Sequence, residues 1–211
     1  RIERNYENLR MEIQATTGFD HVENVYANNL HALELPQALQ QHNQEWITAA
    51  ALDFIDQNAN EPFYLYMATT TPHVPSPVES MKSDPRITPK GMLDRAPNVQ
   101  PSRESVFARV EQAGLPEDAA VMLWIDDAIK AILDKLEAKG VLDNTLIIFA
   151  SDHSGAHGGR GKMTNYEGGV NTPAFVWWKN QISSGQKLDS LASSVDIVPT
   201  ILDAAGIDYT N

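Results

Sequence analysis

Residues 124–155, WIDDAIKAILDKLEAKGVLDNTLIIFASDHSG, decide the fold, because a helical pattern passes through a turn into a strand that ends in polar chemistry. Just upstream, Pro116 occupies a first-turn position with Glu117 and Asp118 behind it. Met122, Ile125, Ile129, Ile132, Leu133 and Leu136 then form one apolar face. Lys139-Gly140 closes the helix, and LDN (142–144) turns the chain into TLIIFA (145–150). That strand is apolar on both faces, as a strand covered by helices on both sides must be.

The same grammar recurs on either side. Ile47, Ala50, Ala51, Phe54 and Ile55 make an amphipathic stripe with Asn43 as its N-cap. FYLYMATT (63–70) reads as a strand and stops at TTPHVP, where prolines forbid ordinary ladder pairing. Pro173 to Trp178 reads as another strand. Asp196 is expected to N-cap the short helix DIVPTILDAAG, with Pro199 in its first turn and Gly206 as its left-handed terminator. Residues 1–36 are polar and weakly periodic, a short helix followed by extended or loop segments. Residues 75–103 hold prolines and charges without a period, and we read a surface loop or lid there, an insertion reaching to 115 within one domain. Alternating helices and strands predict an α/β layered fold with a mostly parallel central sheet flanked by helices.

Composition bounds the function. The 211 residues, 42% hydrophobic, can bury one core, or one core plus a lobe. No run of eighteen apolar residues and no charged-then-apolar leader occurs, so no membrane span is expected. The chain opens RIERNYENLR with its first methionine at Met11, and we read the natural N-terminus as missing and the chain as a fragment. A net charge of −12 without a basic cluster repels phosphate backbones, so nucleic acid is not an expected partner. The absence of cysteine excludes disulfides, thiolate metal sites and a cysteine nucleophile within these residues.

In open α/β sheets, ligands sit beyond the carboxyl ends of the strands. Two predicted strands end that way, in His73 and in Asp152-His153. A carboxylate offers a hard oxygen to a divalent cation, and a neutral imidazole can take the adjacent position or bond to an anion there. The glycines that follow allow close backbone approach, and Lys162 could return positive charge to a bound oxyanion. Each has a plainer reading: an Asp in a turn, a solvated lysine, a histidine bonded to the backbone between prolines.

Their order carries more than any one of them. FYLYMATTTPHVP, WIDDAIKAILDKLEAKGVLDNTLIIFASDHSG, GRGKMTNYEGGVNTPAF and SVDIVPTILDAAGI, in sequence, resemble the C-terminal half of the sulfatase catalytic domain, in the alkaline phosphatase superfamily. The resemblance covers roughly residues 40–208 and implies a partial alkaline-phosphatase-like layered fold. It implies that Asp152 is a carboxylate ligand of a divalent cation, usually calcium, and that His153 fills the neighbouring position. It further implies that Lys162 and His73 contact the sulfate in catalysis. His157 and Arg160 match no functional position of the family. The implied reaction is attack on sulfur by the hydrate of formylglycine, a residue made from Cys or Ser in a "CxPSR" motif. The implied substrate is a sulfated small molecule or saccharide, partly walled by residues 75–115, and the implied location is periplasmic or extracellular.

The departure from the family is large, because no "CxPSR" is present. VQPSR (99–103) imitates its tail, but Val99 stands where Cys or Ser is required and the string follows the "PH" segment instead of preceding it. Ser102 and Arg103 are therefore given no catalytic role. Three readings stay open: a sulfatase fragment without its nucleophile, a phosphatase, phosphodiesterase or phosphonate hydrolase of the same superfamily, and a non-catalytic remnant that binds an anion or a cation. The isolated chain is expected to be inactive, and its truncated surfaces to invite self-association.

Overall fold

The computed structural model describes residues 1–30, 35–155 and 160–208. In chain order the described helices are α1 (Ile2–Thr17), α2 (Gln44–Asn58), α3 (Pro77–Lys82), α4 (Arg103–Gln112), α5 (Ala119–Ala138), α6 (Glu167–Val170) and α7 (Ile197–Ala204). The strands are β1 (Ile87–Thr88), β2 (Gly91–Met92), β3 (Ile147–Ala150) and β4 (Ala174–Trp177). The chain divides into two units, Arg1–Lys139 and Gly140–Asn211.

The first unit is built on α5, against which α2, α3 and α4 pack. Met81, Val106, Val110, Ala120, Val121 and Trp124 form its main core. Pro116 to Asp118 make a turn before α5, whose carbonyls accept from Ala119, Ala120 and Val121. The buried face of α5 is shifted from the predicted one: Val121, Trp124, Ile125 and Ala128 are buried, whereas Met122 is exposed. An indole can reach a polar partner while filling a core, and the Trp124 Nε1–H donates to Glu45 Oε1 at 2.8 Å. A second cluster joins Tyr6 of α1 to Trp46 and Ile47 of α2.

The stretch expected as a loop or lid carries α3, the β1–β2 hairpin and α4. Two short helices start there on serine caps, with Ser76 Oγ accepting from Glu79 N and Ser102 Oγ from Ser105 N. Met81, Val106 and Val110 bury their side chains in the core from these helices, so this stretch is a structural wall of the unit. Residues 63–70 form no ladder among the described residues, although Phe63, Leu65 and Met67 are half-buried while Tyr64, Tyr66 and Ala68 are exposed. That alternation is the period of a strand packed on one face.

In the second unit β3 and β4 pair antiparallel, with Ile147 opposite Trp177 and Ala150 opposite Ala174. Phe149 and Phe175 stack across the pair with ring centroids 5.0 Å apart. Both strand pairs among the described residues are antiparallel, in place of the parallel pairing expected from the alternation of elements. A parallel pair needs a long crossover, usually a full helix, and among the described residues of the link over 151–173 the helix is the one-turn α6. Asp196 precedes α7 as predicted, but its carboxylate accepts from Ser193 N in a capping box around the 3₁₀ turn Ser194–Asp196, not from the amides of α7. Gly206, at φ 69°, terminates that helix in the left-handed region.

Candidate anion and cation site

In the first unit, His73 lies on the segment 71–75, between two cis peptide bonds, Thr71–Pro72 and Val74–Pro75. Its backbone N–H donates to Thr70 O at 3.1 Å, and its Nδ1 to Val74 O at 3.0 Å. The segment is held from behind by the start of α2. His42, Asn43 and Gln44 are each nearly inaccessible; His42 and Gln44 reach the stretch 69–75, and Asn43 reaches 85–87. His42 meets Thr70 Oγ1 at 2.6 Å and Pro75 O at 2.9 Å. Asn43 caps α2 through Trp46 N and donates to Pro85 O and Ile87 O. Gln44 Oε1 accepts from Thr69 Oγ1 at 2.6 Å, and Thr69 and Thr71 share a further hydroxyl contact. Sequence reasoning found only the cap in this trio.

Because a carbonyl can only accept, Nε2 of His42 carries the proton, and Nδ1 accepts from the Thr70 hydroxyl. Burial lowers the His42 pKa, which favours this neutral tautomer.

In the second unit the ladder of β3 is extended by Ser151 N donating to Pro173 O, and Asp152 and His153 follow directly. His153 Nδ1 donates to Ser154 O at 2.8 Å. Its Nε2 faces Asp152 Oδ2 at 3.2 Å. In a neutral ring this places an imidazole lone pair against a carboxylate oxygen, an arrangement that calls for a proton or a cation shared between them. The Asp152 side chain is 84% accessible, so the oxygen can be reached from solvent.

The following loop closes on itself, with Lys162 N donating to Gly155 O at 2.8 Å and the Thr164 hydroxyl to Gly161 O at 2.6 Å. Gly169 is required for this closure, because a Cβ there would lie 2.2 Å from Thr164 O and 2.6 Å from Gly161 O. The Lys162 side chain is exposed. Arg160 stacks its guanidinium 5.5 Å from the Tyr166 ring centroid, a packing role consistent with its lack of a functional assignment. His157 lies outside the described residues.

Asp152 and His153 are thus brought together, Lys162 sits on the loop that follows them, and His73 belongs to the other unit. One carboxylate and one imidazole suit a divalent cation in kind. They fall short in number, since hard cations take six to eight oxygens and no cluster of three or more potential ligands occurs among the described residues.

These elements define an α/β protein that presents acid, imidazole and ammonium groups on loops beside its strands. The Sulfatase family model matches residues 2–207, and the chain belongs to the sulfatase family. It is 30% identical over 175 residues to the uncharacterized sulfatase YdeN of Escherichia coli (strain K12), a match covering 76% of this chain and 27% of that protein. It is 33% identical over 170 residues to human N-acetylgalactosamine-6-sulfatase, covering 74% of this chain and 27% of that one. The chain therefore spans little more than a quarter of the length of these curated relatives. Among solved structures, Ps i-CgsB in complex with k-i-k-neocarrahexaose shares the fold at a TM-score of 0.57 and 19% identity, over 99% of this chain and 42% of that one.

Proposed function

We propose that this chain supplies part of the active site of a sulfate-ester hydrolase. The carrying observation is the paired Asp152 carboxylate and His153 imidazole directly after β3, in a chain that matches the sulfatase family over residues 2–207. Asp152 Oδ2 and His153 Nε2 would hold a divalent cation, of which calcium is the expected one, together with oxygens from outside these residues. A cation so held supplies positive charge that polarises a sulfate oxygen. The exposed Lys162 ammonium and, in the other unit, the His73 imidazole are each proposed as a sulfate contact, where positive charge would offset that of the anion. The attacking group belongs to a "CxPSR" motif that this sequence does not contain, so the chain by itself is expected to bind and not to turn over. A sulfated saccharide is the favoured substrate class, supported by a structural neighbour solved with an oligosaccharide, and the favoured location is periplasmic or extracellular.

Calorimetric titration of calcium and then sodium sulfate into the chain tests this reading. Weak calcium binding that Asp152→Ala abolishes, and sulfate binding that Lys162→Ala weakens, are the expected results. No heat from either ion would overturn it. A clear preference for phosphate over sulfate would favour a phosphatase or phosphodiesterase of the same superfamily.

A further inference from the structure

Among the features of the first unit, the polar trio at the start of α2 has the least ordinary placement for its chemistry. Three consecutive polar side chains are 1–2% exposed, in a part of the chain where an apolar helix face would be the simpler way to fill space. Buried polar groups are retained where their hydrogen bonds specify a geometry, and His42 specifies the geometry of one segment. It bonds to Thr70 immediately before that segment and to Pro75 at its end. Its backbone N–H is itself held by Ser80 Oγ at 3.1 Å, so the ring is anchored at its own root on α3. Among the four residues between the two bonded ends, 71–74, is His73.

We infer that His42 is a positioning residue for His73: it clamps the two ends of the segment 70–75 and thereby sets where the His73 imidazole is presented. This rests on the proposed role of His73 in contacting sulfate. The clamp has a polarity that apolar side chains of similar size lack. Nε2–H must donate to a carbonyl while Nδ1 accepts from a hydroxyl, so one flat ring bridges a donor and an acceptor on opposite sides. Phenylalanine fills the volume and makes neither bond. Glutamine can make both, because its amide nitrogen donates and its amide oxygen accepts. Thr70→Val removes a single hydroxyl and so breaks one arm of the clamp without touching His42.

The test uses the whole 211-residue chain with labelled histidine and amide nitrogen, compared as wild type, His42→Phe, His42→Gln and Thr70→Val. The Trp124 indole N–H, bonded to Glu45 in the core, reports that each variant has folded. The first readout is hydrogen exchange at the His73 amide, which closes the turn onto Thr70 O. Losing one net hydrogen bond of the clamp is worth about a tenfold rise in opening, so exchange should quicken about tenfold in Thr70→Val and more in His42→Phe. The amides of α5 should stay within about twofold of wild type. The second readout is the dissociation constant for sodium sulfate, which should weaken by a similar factor in His42→Phe and return in His42→Gln, while calcium binding is unmoved. Unchanged exchange at His73 in both His42→Phe and Thr70→Val, with the Trp124 signal intact, would overturn the inference. So would a Gln variant that behaves like Phe. If the exchange pattern appears as expected but wild type binds no sulfate, the clamp stands and the sulfate reading of the site is the part that fails.

Discussion

Arg103 ends the string VQPSR, which imitates a nucleophile motif, and the side chain is instead a tie inside the first unit. Its Nε and Nη2 meet Glu45 Oε1 and Oε2 at 2.9 and 2.8 Å, its Nη1 donates to Ser80 O, and its guanidinium lies over the Trp124 ring. Both partners of the pair are about 5% exposed, so the carboxylate cannot be left alone without a large penalty. Arg103→Met should therefore lower stability by roughly 3–5 kcal/mol in urea denaturation, and a loss below about 1 kcal/mol would show that water reaches Glu45. His42 offers a prediction of a different kind. Burial lowers its pKa from the ordinary 6.5. As pH falls through that ordinary value the unfolded chain takes up a proton and the folded chain does not, so the contribution of His42 is present above it and lost below it. Denaturation at about pH 7.5 and about pH 5.5 should show the stability advantage of wild type over His42→Gln shrinking on acidification. An advantage that is constant or grows would mean that His42 is protonated in the folded state.

At the scale of elements, α2 begins with one residue that serves three segments. Asn43 Oδ1 accepts from Trp46 N, and its amide donates to Pro85 O and Ile87 O on the approach to β1. Replacing it with alanine removes a helix cap worth about 1 kcal/mol and leaves two carbonyls without their donor, so a total loss of about 2–3 kcal/mol is expected. A cap alone would lose half of that, and Asn43→Asp, which keeps the cap acceptor but not the donor, separates the two parts in a denaturant series. The cap was legible in sequence because Asn43 precedes a periodic stripe; the two longer reaches were not, because nothing local relates residue 43 to 85 or 87. The same distinction explains the rest. The cores of α2 and α5 and the runs that become β3 and β4 follow from patterns within one stretch of chain. Helices α3 and α4, of 6 and 10 residues, bury too few apolar positions to establish a period, and their serine caps lie among prolines and charges. Asp152 and His153 were legible as a pair because they are adjacent, whereas His42 is invisible without the fold that brings Thr70 and Pro75 to it.

At the scale of the molecule, the two units differ in how they hold themselves together. The first buries aliphatic and aromatic side chains around Trp124 and Trp46. In the second, no described apolar side chain is fully buried, and Leu188, Leu191 and Val195 are 79%, 104% and 75% exposed. A two-stranded ladder is marginal on its own, and among the described residues β3 with β4 is a two-stranded ladder. Local opening free energy follows buried apolar contact, so native-state hydrogen exchange should be graded along the chain. Amides of Ile147 to Ala150 are expected to exchange at least about a hundredfold faster than those around Trp46 and Trp124, a gap of about 2.7 kcal/mol. Exchange within about tenfold across both units would instead show that they open together. The candidate cation ligands follow β3 directly, so a cation that binds the folded form must also oppose its opening. Calcium should slow exchange first at residues 147–155 and leave α5 unchanged, and Asp152→Ala should remove that protection while preserving the gradient itself. Protection that survives Asp152→Ala would place the cation elsewhere, because carboxylates abound in a chain of net charge −12 and only a local response ties the ion to this strand end.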